Sequence, residues 1–423
     1  MRAVSVAVVT GAMVALTATA TATTTAAAPG PAPRTGTERV TLSATGDQLT
    51  GTSDGPRLSA DGRYAAFASY APDAVPGDTN GKSDVFVRDL RGGAVERVTV
   101  ASDGTQADAD SHYVTLSADG RLVAFVSRAT NLVPWSSPQT FHSDVYVHDR
   151  RTGKTERVSV AADGGSGWVA DNLDMSADGR YLAFTAPASR IEGGSAPGHA
   201  RAYVVDRRTG ETRKVSDRLP ADWYVSNVRI SPDGRHAAYI QRHPRGGRGE
   251  LYLADLDTGA QRQLNVTPEG EPTNGGPAGL SFSADGSRVA YSSFGDDVVP
   301  GAPEGTWELY VHDTRTATTR WITHEGTGGL GGGLLSADGR KLAYMRETTD
   351  PDGQSVENVY VRDLGTGRTA LVTEARGGGP AGGYSAPSAF TRDGGALALF
   401  STSPDLVPGD TNGEGDGFVR RLR

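Results

Sequence analysis

The chain has 423 residues; 37% are hydrophobic and 56 are glycine, which fits many short strands joined by turns better than a helical core. A formal charge of −8 argues against nucleic acid or an anionic membrane surface as partner. With no cysteine there is neither a disulfide nor a lipidated N-terminal cysteine, so stability must come from packing and topology.

The chain begins MRAVSVAVVTGAMVALTATATA. Arg2 precedes an apolar run from Ala3 to Leu16, and small-residue A-x-A sites follow at Ala18 to Ala22 and Ala26 to Ala28. This is the pattern of a cleavable secretory signal over residues 1–28, cut between 18 and 33, so the mature protein is expected to be secreted and extracellular. The run is too short and too rich in small residues for a stable membrane span, and nothing later is apolar enough to cross a bilayer.

From residue 34 onward one unit repeats. LSADGRYAAF begins at Leu58, LSADGRLVAF at Leu116, MSADGRYLAF at Met175 and ISPDGRHAAY at Ile230. FSADGSRVAY follows at Phe282, LSADGRKLAY at Leu335 and FTRDGGALAL at Phe390. The aspartates of the seven copies (Asp61, Asp119, Asp178, Asp233, Asp285, Asp338 and Asp393) are spaced 52 to 59 residues apart. Each copy reads as four strands. One short strand ends at the Leu-Ser, and the Asp-Gly pair makes a tight hairpin turn. The second strand carries Ala next to an aromatic, as in Ala66-Phe67, the small residue letting neighbouring sheets approach. A third strand such as DVFVRD at Asp84 or DVYVHD at Asp144 follows a variable loop, and a polar turn leads to a fourth, TERVSV at Thr155.

Seven such units predict an all-β, seven-bladed β-propeller of four-stranded antiparallel blades over residues 34–423. The seventh unit stops after its third strand, at GFVRRLR, while RTGTERVTL at Arg34 matches RTGKTERVSV at Arg151. The N-terminal strand is therefore expected to complete the last blade and close the ring, removing two open sheet edges. VPGDTNG occurs at Val75 and again at Val407, and ring closure predicts that these two loops sit side by side across the seam.

The S-x-D-G-R-x-x-A-[FY] unit followed by D-[VL]-[FY]-V-x-D resembles the TolB-type, WD-repeat-like propeller repeat. The resemblance implies a scaffold used mainly for binding. No separate α/β domain stands before the repeats, so the envelope role of TolB itself is not implied, and the aspartate closing the third strand becomes Arg421 in the last copy.

The turns between strands one and two and between three and four are short and share one face. The loops between strands two and three and the links between blades share the other, and long loops on a rigid scaffold are the usual place for function. On that long-loop face, Asp78, Asn80 and Asp84, repeated as Asp410, Asn412 and Asp416, offer oxygens around a glycine turn, as calcium requires. The competing reading is that Asn-Gly makes the turn and the aspartate bonds its own backbone, and no cofactor is required. Trp135, Trp168, Trp223 and Trp307 map to the same face as candidate platforms for a glycan or protein ligand.

No catalytic residue is assigned. GTSDG at Gly51 matches a hydrolase elbow but lacks its strand-to-helix setting. The eight histidines are scattered, with only His112 and His324 in links that could approach the channel. The expected function is a secreted, non-enzymatic binding scaffold for a protein or glycan. The alternative is a polysaccharide-active lyase or hydrolase with its site at the channel mouth.

Overall fold

The structure, a computed structural model, describes residues 36–134, 142–193, 198–324, 329–350 and 353–422. The signal-like segment and Trp135 lie outside the described residues.

Seven four-stranded antiparallel sheets form the ring. Blade one comprises Arg57–Leu58, Tyr64–Ser69, Asp84–Asp89 and Val95–Arg97. Blade seven comprises Ser385–Phe390, Ala396–Ser401 and Asp416–Arg421, and its fourth strand is Thr37–Arg39. The closure register pairs Thr37 with Arg420 and Arg39 with Phe418. Among the described residues the only helix is the single turn Ala188–Ile191, and none is long and apolar enough to cross a membrane.

Local chemistry fixes each blade's first turn. Ser59 Oγ donates to Asp61 Oδ1 at 2.7 Å and accepts the Tyr64 amide at 2.9 Å, while Asp61 Oδ1 accepts the Arg63 amide. The same hydroxyl-to-aspartate bond recurs from Ser117, Ser176, Ser231, Ser283, Ser336 and, in blade seven, Thr391. The glycine that follows is required twice over at Gly120. Its φ is +70°, and a Cβ there would lie 2.5 Å from the Tyr64 ring of the preceding blade.

Packing then joins the blades. Aromatic residues on the second and third strands pair within blades one to six, as in Phe67–Phe86 at 5.8 Å, Phe125–Tyr146 at 5.9 Å and Tyr291–Tyr310 at 5.5 Å. Between blades one and two, Ala66, Val85 and Val87 pack against Val114, Val123 and Phe125. On the short-turn face, backbone bonds link successive Ala-Asp-Gly turns: Ala60 N to Ala118 O, Ala118 N to Ala177 O, and Ala177 N to Pro232 O. Pro232 has no N–H to continue the collar, so this series stops there.

The two VPGDTNG loops are not side by side. The link from blade seven to blade one runs between them. Its Ala44 amide bonds Ala74 O, and its Leu49 carbonyl accepts Asn412 Nδ2 at 2.9 Å. Each loop leans on the link that enters the next blade, so the two are related by one step around the ring.

Candidate functional site at the long-loop face

In the first VPGDTNG loop the oxygens surround a cation supplied by the chain itself. Arg97 Nη1 lies 3.1 Å from Asp78 Oδ1 and 3.4 Å from Asp84 Oδ2, all three side chains being buried. Asn80 Nδ2 donates to Asp84 Oδ2 at 2.8 Å, and Asn80 Oδ1 accepts the Lys82 amide, so the side chain that closes on the local backbone is the asparagine, while Asp78 faces Arg97. Burial pushes the Asp84 carboxyl up, opposed by hydrogen bonds from Thr99 and Asn80 and by the Arg97 charge. The second loop repeats the plan. Arg39 lies 2.9 Å from Asp410 and 3.1 Å from Asp416, and Asn412 Oδ1 accepts the Glu414 amide. Among the described residues no three His, Asp or Glu side chains form a group that could hold a metal ion.

The three candidate tryptophans among the described residues do not converge. Trp168 is stacked between His142, with ring centroids 3.6 Å apart, and the Arg190 guanidinium at 3.8 Å. Trp223 meets His243 edge-on at 6.0 Å, and its carbonyl accepts Arg201 Nη1. Trp307 is exposed and packs on Phe294 at 5.8 Å.

Tyrosines, which the sequence reading passed over, mark the more open surface. Among the described residues the exposed large hydrophobics are Tyr70, Tyr113, Val160, Phe294, Trp307 and Tyr384. Tyr70 and Phe294 follow second strands; Trp307 precedes a third strand; Val160 and Tyr384 lie in links; Tyr113 lies near the start of a first strand. All six are at the long-loop end of their blades.

Tyr70 and Tyr113 flank a cleft of about 410 Å³ between blades one and two, lined also by Asp54, Asp110, His112 and Arg128. Its frame is rigid. Ser53 and Ser69 are bonded at 3.0 Å, Ser111 and Ser127 at 2.9 Å, and Asp110 Oδ1 accepts the Ser83 amide at 3.0 Å. Tyr113 has φ +53°, a left-handed conformation costly for an aromatic residue, at a register shift in the strand Ser111–Leu116. Counting back three from the end of the first strand, blades five and six place Gly279 and Gly332 there, both with positive φ. The tyrosine thus occupies a position where glycine is the unstrained choice, as side chains at binding sites often do. Asp54 is exposed at the surface but crowded by protein at longer range. That burial raises its pKa, with His112 and then Arg57 pulling it back.

The cleft combines carboxylates, an imidazole, a guanidinium and two aromatic faces, a set that can hydrogen-bond hydroxyls and stack against sugar rings or apolar side chains. His112 belongs to blade two's first strand rather than to a link, whereas His324 lies 3.4 Å from Glu308 in blade five. Ser53 of GTSDG is fully buried with its hydroxyl committed to Ser69, so it is not presented as a nucleophile.

No family model and no curated protein matches the sequence. Solved structures match the fold. An oligogalacturonate lyase in complex with manganese aligns at 16% identity with a TM-score of 0.58, covering 89% of this chain and 91% of that one. The β-propeller domain of the Trilobed protease from Pyrococcus furiosus aligns at 13% identity and TM-score 0.52, covering 83% and 91%. That domain is described as having an open velcro topology, whereas here the N-terminal strand closes the ring. TolB from Acinetobacter baumannii aligns more loosely, at 17% identity and TM-score 0.39 over 78% of this chain and 80% of that one.

Proposed function

We propose that this is an exported, non-enzymatic propeller that recognises a glycan through its long-loop face, centred on the cleft between blades one and two. One observation carries the reading: every exposed large hydrophobic among the described residues is on that face, and Tyr113 is held there in a strained conformation. Exposed tyrosines supply stacking surface at small entropic cost, and the carboxylates and Arg128 supply hydrogen bonds that orient hydroxyls. Native electrophoresis through gels cast with soluble cell-wall or plant polysaccharides tests this. Retarded migration in one polysaccharide, lost in Tyr70→Ala, supports the reading; unchanged migration in every polysaccharide counts against it.

A second reading is cleavage of an acidic glycan, since the cleft places Asp54, Asp110, His112 and Arg128 along one wall system and a solved structure of like fold is an oligogalacturonate lyase. Release of unsaturated product from uronate oligosaccharides, abolished in His112→Ala, would favour it over binding alone.

A further inference from the structure

At the opposite end of the channel the ring opens into a funnel of about 660 Å³ that the long-loop face does not share. Its walls are apolar, with Leu116, Met175, Phe282 and Phe390 among them, and its rim is formed by the alanines of the Ala-Asp-Gly turns. Blade seven breaks the pattern, because its turn reads Thr-Arg-Asp-Gly and sets exposed Arg392 on the rim where other blades carry alanine or proline.

A second cation lines the funnel. Arg57, from blade one's first strand, donates to the Ser388 carbonyl of blade seven. Arg57 is deep in the protein, close enough to Arg229 of blade four to feel its charge, and Asp174 of blade three interacts with both. Burial and then the Arg229 charge depress Arg57 to about 10, with Asp174 and Asp54 opposing them. It nonetheless remains a cation at neutral pH. Asp174 is itself committed, one oxygen accepting the Ile230 amide at 3.0 Å. The funnel's acidic residues, Asp233 and Asp338, are tied into their own turns by Ser231 and Ser336 and by the amides of Arg235 and Arg340. Two arginines at different depths in an apolar funnel complement an anion that carries an apolar body.

We propose that the short-turn funnel is a second binding site, lined by different residues from the long-loop cleft, for an organic anion with an apolar body. The anionic group meets Arg57, with Arg392 guarding the rim, and the body lies on the leucine, methionine and phenylalanine walls.

The test titrates the folded protein with the fluorescent probe 8-anilinonaphthalene-1-sulfonate and displaces it with dodecanoate, 2-naphthoate, dodecanol or acetate. Displacement by either apolar carboxylate is expected at concentrations about tenfold below those of dodecanol, with acetate inert. Comparing the alkyl with the naphthyl acid distinguishes a flexible lipid-like body from a rigid aromatic one. Arg57→Gln is expected to weaken the carboxylate about tenfold, and Ala118→Phe to block the probe by filling the funnel while leaving both arginines in place. Should Arg57→Gln misfold, exposed Arg392→Ala supplies the charge test and is expected to weaken the carboxylate about threefold. Equal displacement by dodecanol and dodecanoate, or probe binding unchanged in Ala118→Phe, would overturn the proposal. Tyr70→Ala, on the other face, is expected to leave probe binding unchanged, and a change there would likewise count against it.

Discussion

Arg97 and Arg39 stand in equivalent places, 58 residues apart, and each puts a guanidinium between the two aspartates of a VPGDTNG loop. The positive charge that such an oxygen cluster attracts is therefore covalently part of the chain. Truncating it leaves two buried carboxylates without a counter-charge, which is far costlier than losing a surface pair.

Arg97→Ala is expected to lower stability by about 3–5 kcal/mol, read from chemical denaturation. Asp78, Asp84 and the carbonyl oxygen of Asn80 would then be open to a hard cation. Calcium is accordingly expected to raise the melting temperature of Arg97→Ala and to leave the unaltered protein unmoved. A calcium response in the unaltered protein, reversed by EDTA, would show instead that the loops bind metal beside the arginine.

Tyr113→Gly is expected to stabilise the fold by about 1 kcal/mol, since glycine relieves the positive φ that blades five and six meet with glycine. The same change should weaken glycan retention in native gels. A destabilised variant with intact retention would mean that the tyrosine serves packing.

His312 is buried on a third strand, its Nδ1 2.9 Å from Thr319 Oγ1, and burial followed by the Arg262 charge pushes it down to about 4. The folded state thus binds a proton more weakly than the unfolded chain. This contribution is complete above the ordinary histidine value of 6.5 and is lost as pH falls from there towards 4. Full protonation costs on the order of 3 kcal/mol. Buried His148, shifted in the same direction by burial, adds to the effect. Melting curves should fall across this window, and His312→Gln should flatten part of the fall; an identical pH profile in the variant would contradict the assignment.

Gly120→Ala meets both a φ of +70° and the Tyr64 ring. A loss of about 2–4 kcal/mol is expected by denaturation, and Tyr64→Ala should recover the steric part only. Complete recovery in the double variant would mean that the backbone conformation is not strained by alanine.

The blades were legible because every copy needs the same turn. Ser-x-Asp-Gly, with Thr in place of Ser in blade seven, encodes a local hydrogen-bond network, and repeating it seven times leaves one architecture. Ring closure was legible for the same reason, since Thr37–Arg39 resembles a fourth strand that blade seven lacks. The arginine inside each seam loop was missed because it pairs across strands rather than within the loop, although Glu-Arg-Val recurs at Glu38, Glu96 and Glu156. The cleft was missed because tryptophan was weighted above tyrosine. Tyr113 stood out only on alignment of the first strands, where three other copies have glycine and two of these, Gly279 and Gly332, share its positive φ. The position of the link between the two seam loops follows from chain path, which residue types do not report.

The long-loop face as the recognition surface is tested most directly by thermal melting against a panel of cell-wall and plant polysaccharides, with the unaltered protein beside Tyr70→Ala and Arg392→Ala. Binding to the native state raises the melting temperature by mass action. At least one polysaccharide is expected to shift the unaltered protein and Arg392→Ala equally and to leave Tyr70→Ala unmoved. A shift retained in Tyr70→Ala and lost in Arg392→Ala, or no shift with any polysaccharide, would contradict glycan recognition at this face.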